Sequence, residues 1–362
     1  MLATSRGVAI EPTADPGVAG SLTIVIPVLD EERRLGPCLE GLRAQGDLVR
    51  EILVVDGGSH DGTRALALAA SARDPRIRLI DAARTPPGWN GKAWNLETGL
   101  READPRSSSI LMLDADVRPA PNLCRALAAH ARRFGVAAFS VAARQRLAGP
   151  LDALVHPAML ATLVYRFGIP GTASTSRGRV QANGQCFLVS REVLERTRAI
   201  EAARDSRCED VTIARTIAAG GTPVGFYEAG ALVSVEMYDS WRDTVRNWPR
   251  SLPMRDRYSR ATAWLGLLEV LLVQALPPWI AFVTLLRARS DVAARPLLRV
   301  QLALVAIRLA TLAGMRRAYD APPAGYWLSP FCDVPVAALL AASALRRSHV
   351  WRGRTLVPEG LG

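Results

Sequence analysis

Asp114-Ala115-Asp116 follows directly on the apolar run Ser109-Ile110-Leu111-Met112-Leu113. Two carboxylates one residue apart at a strand end can jointly face a hard cation and the phosphate oxygens it carries. Magnesium or manganese held in this way bridges diphosphate oxygens and neutralises a departing nucleotide. Many strand-to-loop turns carry such a pair, so its place after an apolar strand is what makes it informative. Asp56 closes another apolar run, where a carboxylate can accept from a uracil imide or a ribose hydroxyl. Asp61, across a Gly-Gly-Ser turn, reads instead as turn and helix-cap chemistry. Glu209-Asp210 opens a helical stretch. The macrodipole alone favours acids there, and a carboxylate fixed in a first turn can also act as a general base.

Pro86-Pro87-Gly88-Trp89-Asn90-Gly91-Lys92 is stiffened by proline, opened by glycine and ends on a cation. A plain surface loop is disfavoured, because Trp89 and Trp94 would be displayed without partners. Lys92 is the one lysine among 45 basic residues. Codon drift explains the arginine bias but not the lysine that remains. A compact ammonium on a flexible stem differs from a guanidinium fork, so Lys92 is expected where arginine would not serve.

These side chains need a scaffold. Residues 22–29, 51–55, 76–80 and 109–113 read as strands, and helices are expected after Glu31, from Asp61 to Ala72 and over 92–102. Strands alternating with helices at this spacing imply an α/β, mostly parallel, doubly wound sheet, whose ligands gather beyond the strands' carboxyl ends. Further strands are expected at 136–143 and 185–189, one or two within 222–236, a helix or loop over 151–168 and a helix over 209–219. The 362 residues suffice for one α/β domain of roughly 240 residues and an appendage. The division expected is a disordered lead-in over 1–20, a catalytic domain over 21–255 and hydrophobic helices over 256–362. Residues 1–20 have neither the apolar run nor the basic segment of a signal peptide.

The last third is apolar. Residues 261–286, broken at Pro277-Pro278, and then 297–315 and 328–345 each approach the length of a membrane span. Arg255, Arg257 and Arg260, then Arg287, Arg289 and Arg295, then Arg346, Arg347, Arg352 and Arg354 flank them. A re-entrant hairpin at 261–286 followed by two spans keeps these groups on the inner side, leaving Arg316 and Arg317 outside. A soluble bundle of buried helices is the alternative.

Net charge is +11. A nucleic-acid partner is not expected: the arginines are scattered, and zinc-finger and RNA-binding aromatic patterns are lacking. The five cysteines, Cys38, Cys124, Cys186, Cys208 and Cys332, form no CxxC pair, which fits a reduced compartment without structural zinc. His60, His130, His156 and His349 have no metal-ligand spacing. Neither a Walker loop nor a G-x-G-x-x-G after the first strand occurs.

In order, Ile26-Pro27 with Glu31-Glu32, Val55-Asp56-Gly57-Gly58-Ser59 with Asp61-Gly62-Thr63, Asp114-Ala115-Asp116 and Glu209-Asp210 resemble the motifs of family 2 glycosyltransferases, over about residues 22–250. The P-P-G-W-x-G-K segment, Asn183-Gly184-Gln185-Cys186 and Arg204-Asp205-Ser206 resemble a membrane-associated branch with carotenoid glycosyltransferases and hopanoid-cluster relatives. The resemblance implies a Rossmann-like A-type fold and inverting, metal-dependent (Mg2+ or Mn2+) transfer from a UDP-sugar, with glucose as the sugar. The acceptor it implies is a carotenoid-like polyisoprenoid, at the cell membrane with the catalytic domain cytoplasmic. Pro27 and Glu31 would border the nucleotide pocket, Asp56 contact uracil and Lys92 lie beside the diphosphate. Asp114 and Asp116 would handle ribose and metal, with Asp116 the direct ligand, and Asp210 would be the catalytic base. A hopanoid-type or polyprenyl-phosphate acceptor is one alternative, and a non-catalytic membrane scaffold another. Gly57 stands where the family usually pairs a second aspartate with Asp56. The Q-x-x-R-W motif of processive members is absent: Thr244–Trp248 keeps only its tryptophan, with Arg246 and Arg250 nearby. Single transfer is therefore expected, and Trp248 reads equally as a motif remnant or as an interfacial anchor.

Overall fold

The computed structural model describes residues 7–15, 17–206, 208–250, 260–288, 290–345, 349–351 and 354–356. The chain forms two compact units, one of Met1–Gln145, Ile169–Glu236 and Ser348–Gly362, the other of Arg146–Gly168 and Met237–Arg347.

In the first unit β1 (Leu22–Val28), β2 (Val49–Asp56), β3 (Ile77–Asp81) and β4 (Ser109–Leu113) are separated by α1 (Glu32–Arg43), α2 (Thr63–Ser71) and α3 (Gly91–Glu102). These strands lie side by side in the order β3-β2-β1-β4, all parallel. β1 is apolar at nearly every position because both of its faces are covered. Ile24, Ile26 and Val28 pack with Leu35, Leu39 and Leu42 of α1, whereas Val25 packs on the opposite side with Leu96 of α3.

The chain continues through β5 (Val117–Pro119), α4 (Leu123–Phe134), β6 (Ala138–Ala142) and β7 (Arg144–Gln145), then α5 (Asp152–Phe167) of the second unit. It resumes the first with β8 (Thr172–Ser174), β9 (Cys186–Ser190), α6 (Arg191–Thr197), α7 (Ala199–Ala202), α8 (Glu209–Ala219), β10 (Val224–Glu228) and β11 (Val233–Val235). The eight-stranded sheet has the order β3-β2-β1-β4-β9-β6-β10-β8. β9 runs antiparallel to β4 and β6, and β5, β11 and β7 form a small separate sheet. This is a Rossmann-like α/β fold with a mostly parallel sheet. Because β2, β1 and β4 are parallel neighbours, the turns after Asp56, Val28 and Leu113 open on one edge.

α3 lies close on this sheet. A Cβ at Gly99 would sit 2.3 Å from Val25 Cγ1 and 3.2 Å from Val55 Cγ2. Gly99→Val is expected to destabilise the protein by about 1–3 kcal/mol through overpacking, read as a lowered denaturation midpoint. An unchanged midpoint would show that the helix can move off the sheet freely.

Part of the lead-in is ordered. Ile10 is 3 % exposed in the core, and its N–H donates to Glu228 O at 2.8 Å. A single apolar side chain anchors a polar stretch that composition alone assigned to disorder. Residues 1–6 lie outside the described residues.

The second unit is helical. Besides α5 it contains α9 (Trp241–Asn247), α10 (Arg260–Glu269), a π-helical turn Val270–Ala275, α11 (Pro277–Arg287), α12 (Arg295–Met315) and α13 (Asp333–Leu345). The helices after residue 260 pack with α5. Ala158 and Met159 of α5 share a core with Trp248, Leu267, Val270, Val336 and Leu340. Trp248 is 8 % exposed and stacks on His156 with centroids 4.2 Å apart. That placement corrects the interfacial-anchor reading, because burial against a ring leaves no face for a lipid headgroup.

Two helical stretches, Val292–Ala318 and Ala324–Leu345, are long and apolar enough to cross a membrane. The pair Trp264–Ala275 and Pro277–Arg287 is bent by 48° at its break, where proline cannot continue the hydrogen-bond ladder. Large apolar side chains on these helices face outward, among them Trp279, Phe282, Val300 and Phe331. Arg308 of α12 and Asp333 of α13 are buried and paired twice, Nε to Oδ2 at 2.8 Å and Nη2 to Oδ1 at 2.9 Å. Gln274 Nε2 donates to the same Asp333 Oδ1 at 2.7 Å. Arg255, Arg257, Arg289, Arg346, Arg347 and Arg352, and the side chains of Arg250, Arg260 and Arg354, lie outside the described residues.

Candidate active site

Three chain segments converge beyond the end of β4. Lys92, in the first turn of α3, places Nζ 2.8 Å from Asp114 Oδ1, 3.0 Å from Asp114 Oδ2 and 2.8 Å from Glu209 Oε1. Asp210, beside Glu209 at the start of α8, accepts from Gly184 N–H at 2.7 Å through Oδ2 and from Val211 N–H at 2.8 Å through Oδ1. Lys92, Asp114, Gly184, Glu209 and Asp210 line one pocket with Leu96, Met112 and Phe187. A Cβ at Gly184 would come 3.0 Å from Lys92 Nζ and 3.4 Å from Asp210 Oδ2, so a larger residue there would press on both charged groups.

The electrostatics follow from burial and like charge. Burial pushes the Asp210 carboxyl up to about 7, helped by the Glu209 charge and opposed by Lys92 and the two N–H donors. Burial likewise takes Asp116 up to about 7, with the Asp114 and Glu31 charges adding to it. Burial alone would lower the Lys92 ammonium, yet the charges of Asp114, Glu209 and Asp210 hold it well above its ordinary value. One ammonium thus faces several carboxylates, so the pocket has a deficit of positive charge that a metal ion relieves.

Asp116 Oδ1 is buried and without a hydrogen-bond partner. An orphaned carboxylate oxygen next to a second carboxylate suits a hard cation. Among the described residues no three His, Cys, Asp or Glu side chains cluster to hold a metal by themselves. A cation here would need further oxygens from its ligand.

Asp56 is placed otherwise. It lies at the end of β2, roughly 10 Å from the end of β4 across two strand spacings, and is fully buried. Oδ1 accepts from Ser59 N–H at 3.0 Å and Ser59 Oγ at 2.5 Å, and Oδ2 from Arg64 Nη1 at 2.7 Å. In this arrangement the carboxylate has no exposed face. Arg64, which also pairs with Asp81, closes it. A Cβ at Gly57 would lie 2.9 Å from Asn95 Nδ2, so a second acid there would displace the Asn95 amide. Asp61 accepts from Thr63 N–H and Oγ1 and from Glu32 N–H, as its turn chemistry implied.

Pro27, the penultimate residue of β1, is half-buried opposite Val55. Glu31 donates its N–H to Thr63 Oγ1 at 2.7 Å and pairs with Arg34 at 3.5 Å. Its charge reaches Asp116. The structure therefore gathers Lys92, Asp114 and Asp210, sets Asp116 and Glu31 alongside, keeps Pro27 within β1 apart from the residues lining that pocket, and buries Asp56. Sequence reasoning missed Arg64 and the anchoring of Asn90, whose only signal was an asparagine at a helix N-cap.

Residues 23–198 match the family model described as Glycosyl transferase family 2; the chain carries a family 2 glycosyltransferase domain. Over 70 residues the chain is 36% identical to the succinoglycan biosynthesis protein ExoA of Rhizobium meliloti (strain 1021), covering 19% of this chain and 21% of that protein. Another 104-residue match is 31% identical to glucosyl-3-phosphoglycerate synthase of Mycolicibacterium paratuberculosis, covering 28% and 30%. The chain thus spans under a third of the length of these curated relatives. In three dimensions it is similar to the mannosyltransferase PcManGT from Pyrobaculum calidifontis, solved with GDP-Man and Mn2+. That likeness has a TM-score of 0.54 at 19% identity and covers 95% of this chain and 90% of the other. At that identity it speaks for a shared glycosyltransferase fold.

Proposed function

We propose that this chain transfers one sugar from a UDP-sugar, glucose in our reading, to the hydroxyl of a carotenoid-like polyisoprenoid lipid at the cytoplasmic face of the cell membrane. The observation that carries the reading is the convergence of Lys92, Asp114, Glu209 and Asp210 on one pocket. The family 2 domain and the GDP-Man and Mn2+ bound by the mannosyltransferase neighbour support a nucleotide-sugar donor and a divalent metal.

Each residue has a task in this reading. Asp210, oriented by two N–H groups, takes the proton from the acceptor hydroxyl. The acceptor oxygen attacks the anomeric carbon on the side opposite the diphosphate, and the configuration inverts. Lys92 presents a cation to the leaving diphosphate. Asp116, with Asp114 beside it, would hold Mg2+ or Mn2+, which supplies charge neutralisation to the diphosphate when bound. Pro27 and Glu31 border the nucleotide, while Asp56 acts indirectly by fixing Ser59 and Arg64. The outward apolar helices favour an acceptor and a location in the membrane.

Incubation of the chain with labelled UDP-glucose, Mn2+ and extracted membrane lipids tests this. Label should enter the organic phase as a mass-identified glycolipid, and chelator should stop it. Label recovered only as free sugar, or transfer indifferent to chelator, would refute the proposal.

A further inference from the structure

Asn90 stands between the two helices that carry the proposed chemistry. Its Oδ1 accepts from Ala93 N–H at 2.7 Å, capping α3 two residues before Lys92. Its Nδ2 donates the other way, to Ser206 O at 2.7 Å and Ala203 O at 3.4 Å, and its backbone N–H donates to Arg204 O at 2.5 Å. All three acceptors lie in the turn that leads into α8. Ser206 is itself tied to that helix, since its Oγ accepts from Cys208 N–H at 3.1 Å and pairs with Thr212 Oγ1 at 2.8 Å. Every polar atom of the Asn90 amide is therefore used, the oxygen on α3 and the nitrogen on the approach to α8.

We propose that Asn90 is a positioning residue that staples the start of α3 to the start of α8, setting Lys92 against Glu209 and Asp210. The role rests on the transferase reading only for its catalytic consequence; the staple itself can be read without turnover. A helix cap alone needs an oxygen, and serine or aspartate supplies one as well as asparagine. Serine has one hydroxyl on a shorter side chain and does not span from Ala93 N–H to Ser206 O as the two-ended amide does, and an aspartate there would face carbonyl oxygens with no donor.

The test is Asn90→Ser and Asn90→Asp in the full chain, with three measurements. Lys92, the one lysine, is labelled with an amine-acylating reagent and followed by peptide mass analysis. Turnover is compared with donor affinity, and the denaturation midpoint is recorded. The staple predicts faster Lys92 acylation in both variants, kcat lower by about 10²-fold, and donor affinity and midpoint near wild type. Unchanged acylation and kcat would overturn it. A joint fall of midpoint, donor affinity and kcat would also overturn it, assigning Asn90 a purely structural part. Faster acylation in a protein that turns over no sugar even as wild type would sink the transferase reading and leave the staple standing.

Discussion

Asp210→Asn is expected to lower sugar transfer to a hydroxyl acceptor by roughly 10²–10⁴-fold, the usual contribution of a positioned base, with nucleotide binding intact. The amide oxygen can still accept from Gly184 or Val211, so the helix start keeps its shape. What is lost is a lone pair basic enough to take a proton. The same carboxyl imposes a pH dependence. It is pushed up to about 7, so its ionised, proton-accepting form is scarce below that pH, and the wild-type rate should climb as pH rises towards neutrality. Stability runs the opposite way. The folded state binds this proton more tightly than the unfolded state, so stability is lost as pH rises from the ordinary carboxylate range to about 7. Asp210→Asn removes that pH dependence, and the variant, far slower in transfer, should lose less stability than wild type as pH rises to neutrality. Wild-type turnover in the variant would take Asp210 out of the mechanism.

Asp116→Ala should abolish the metal's contribution to donor binding. Charge stabilisation by a bound cation is worth several kcal/mol, or roughly 10²–10³-fold in affinity for the diphosphate donor. Titration of UDP-sugar with Mn2+ and with chelator should give well-separated curves for wild type and coincident ones for the variant. Coincident wild-type curves would mean that the orphaned oxygen of Asp116 serves no metal. Lys92 engages both oxygens of Asp114, which makes Asp116 the more available partner and its loss the more damaging.

The parallel half of the sheet was legible because its strands are buried on both faces. β1, β2 and β4 each carry an apolar run of four or more residues closed by a polar turn, and each appeared within two residues of its expected bounds. β5, β7 and β8, only two or three residues long, carry no period and exist through their pairing. The membership of α5 was also hidden. Its apolar run fixes a buried helix but not which core receives it. At the site, residue types at strand and helix ends pointed to Asp114, Asp210 and Lys92, because such positions on a parallel sheet share an edge. They could not reveal that Arg64 reaches back to close Asp56, or that Trp248 finds His156 as its neighbour. Those outcomes depend on side chains distant in sequence.

The doubled contact between Arg308 and Asp333 bears on how the protein is made. With α12 and α13 placed in a bilayer, as proposed, either charge alone would cost roughly 2.5–3.5 kcal/mol at mid-depth, whereas together they present lipid with no bare ion. Lateral entry one at a time would strand the arginine while the aspartate is still being synthesised. The two segments should thus leave the translocation channel as a joined hairpin, and a chain that stops shortly after Met315 should be retained by the insertion machinery or degraded.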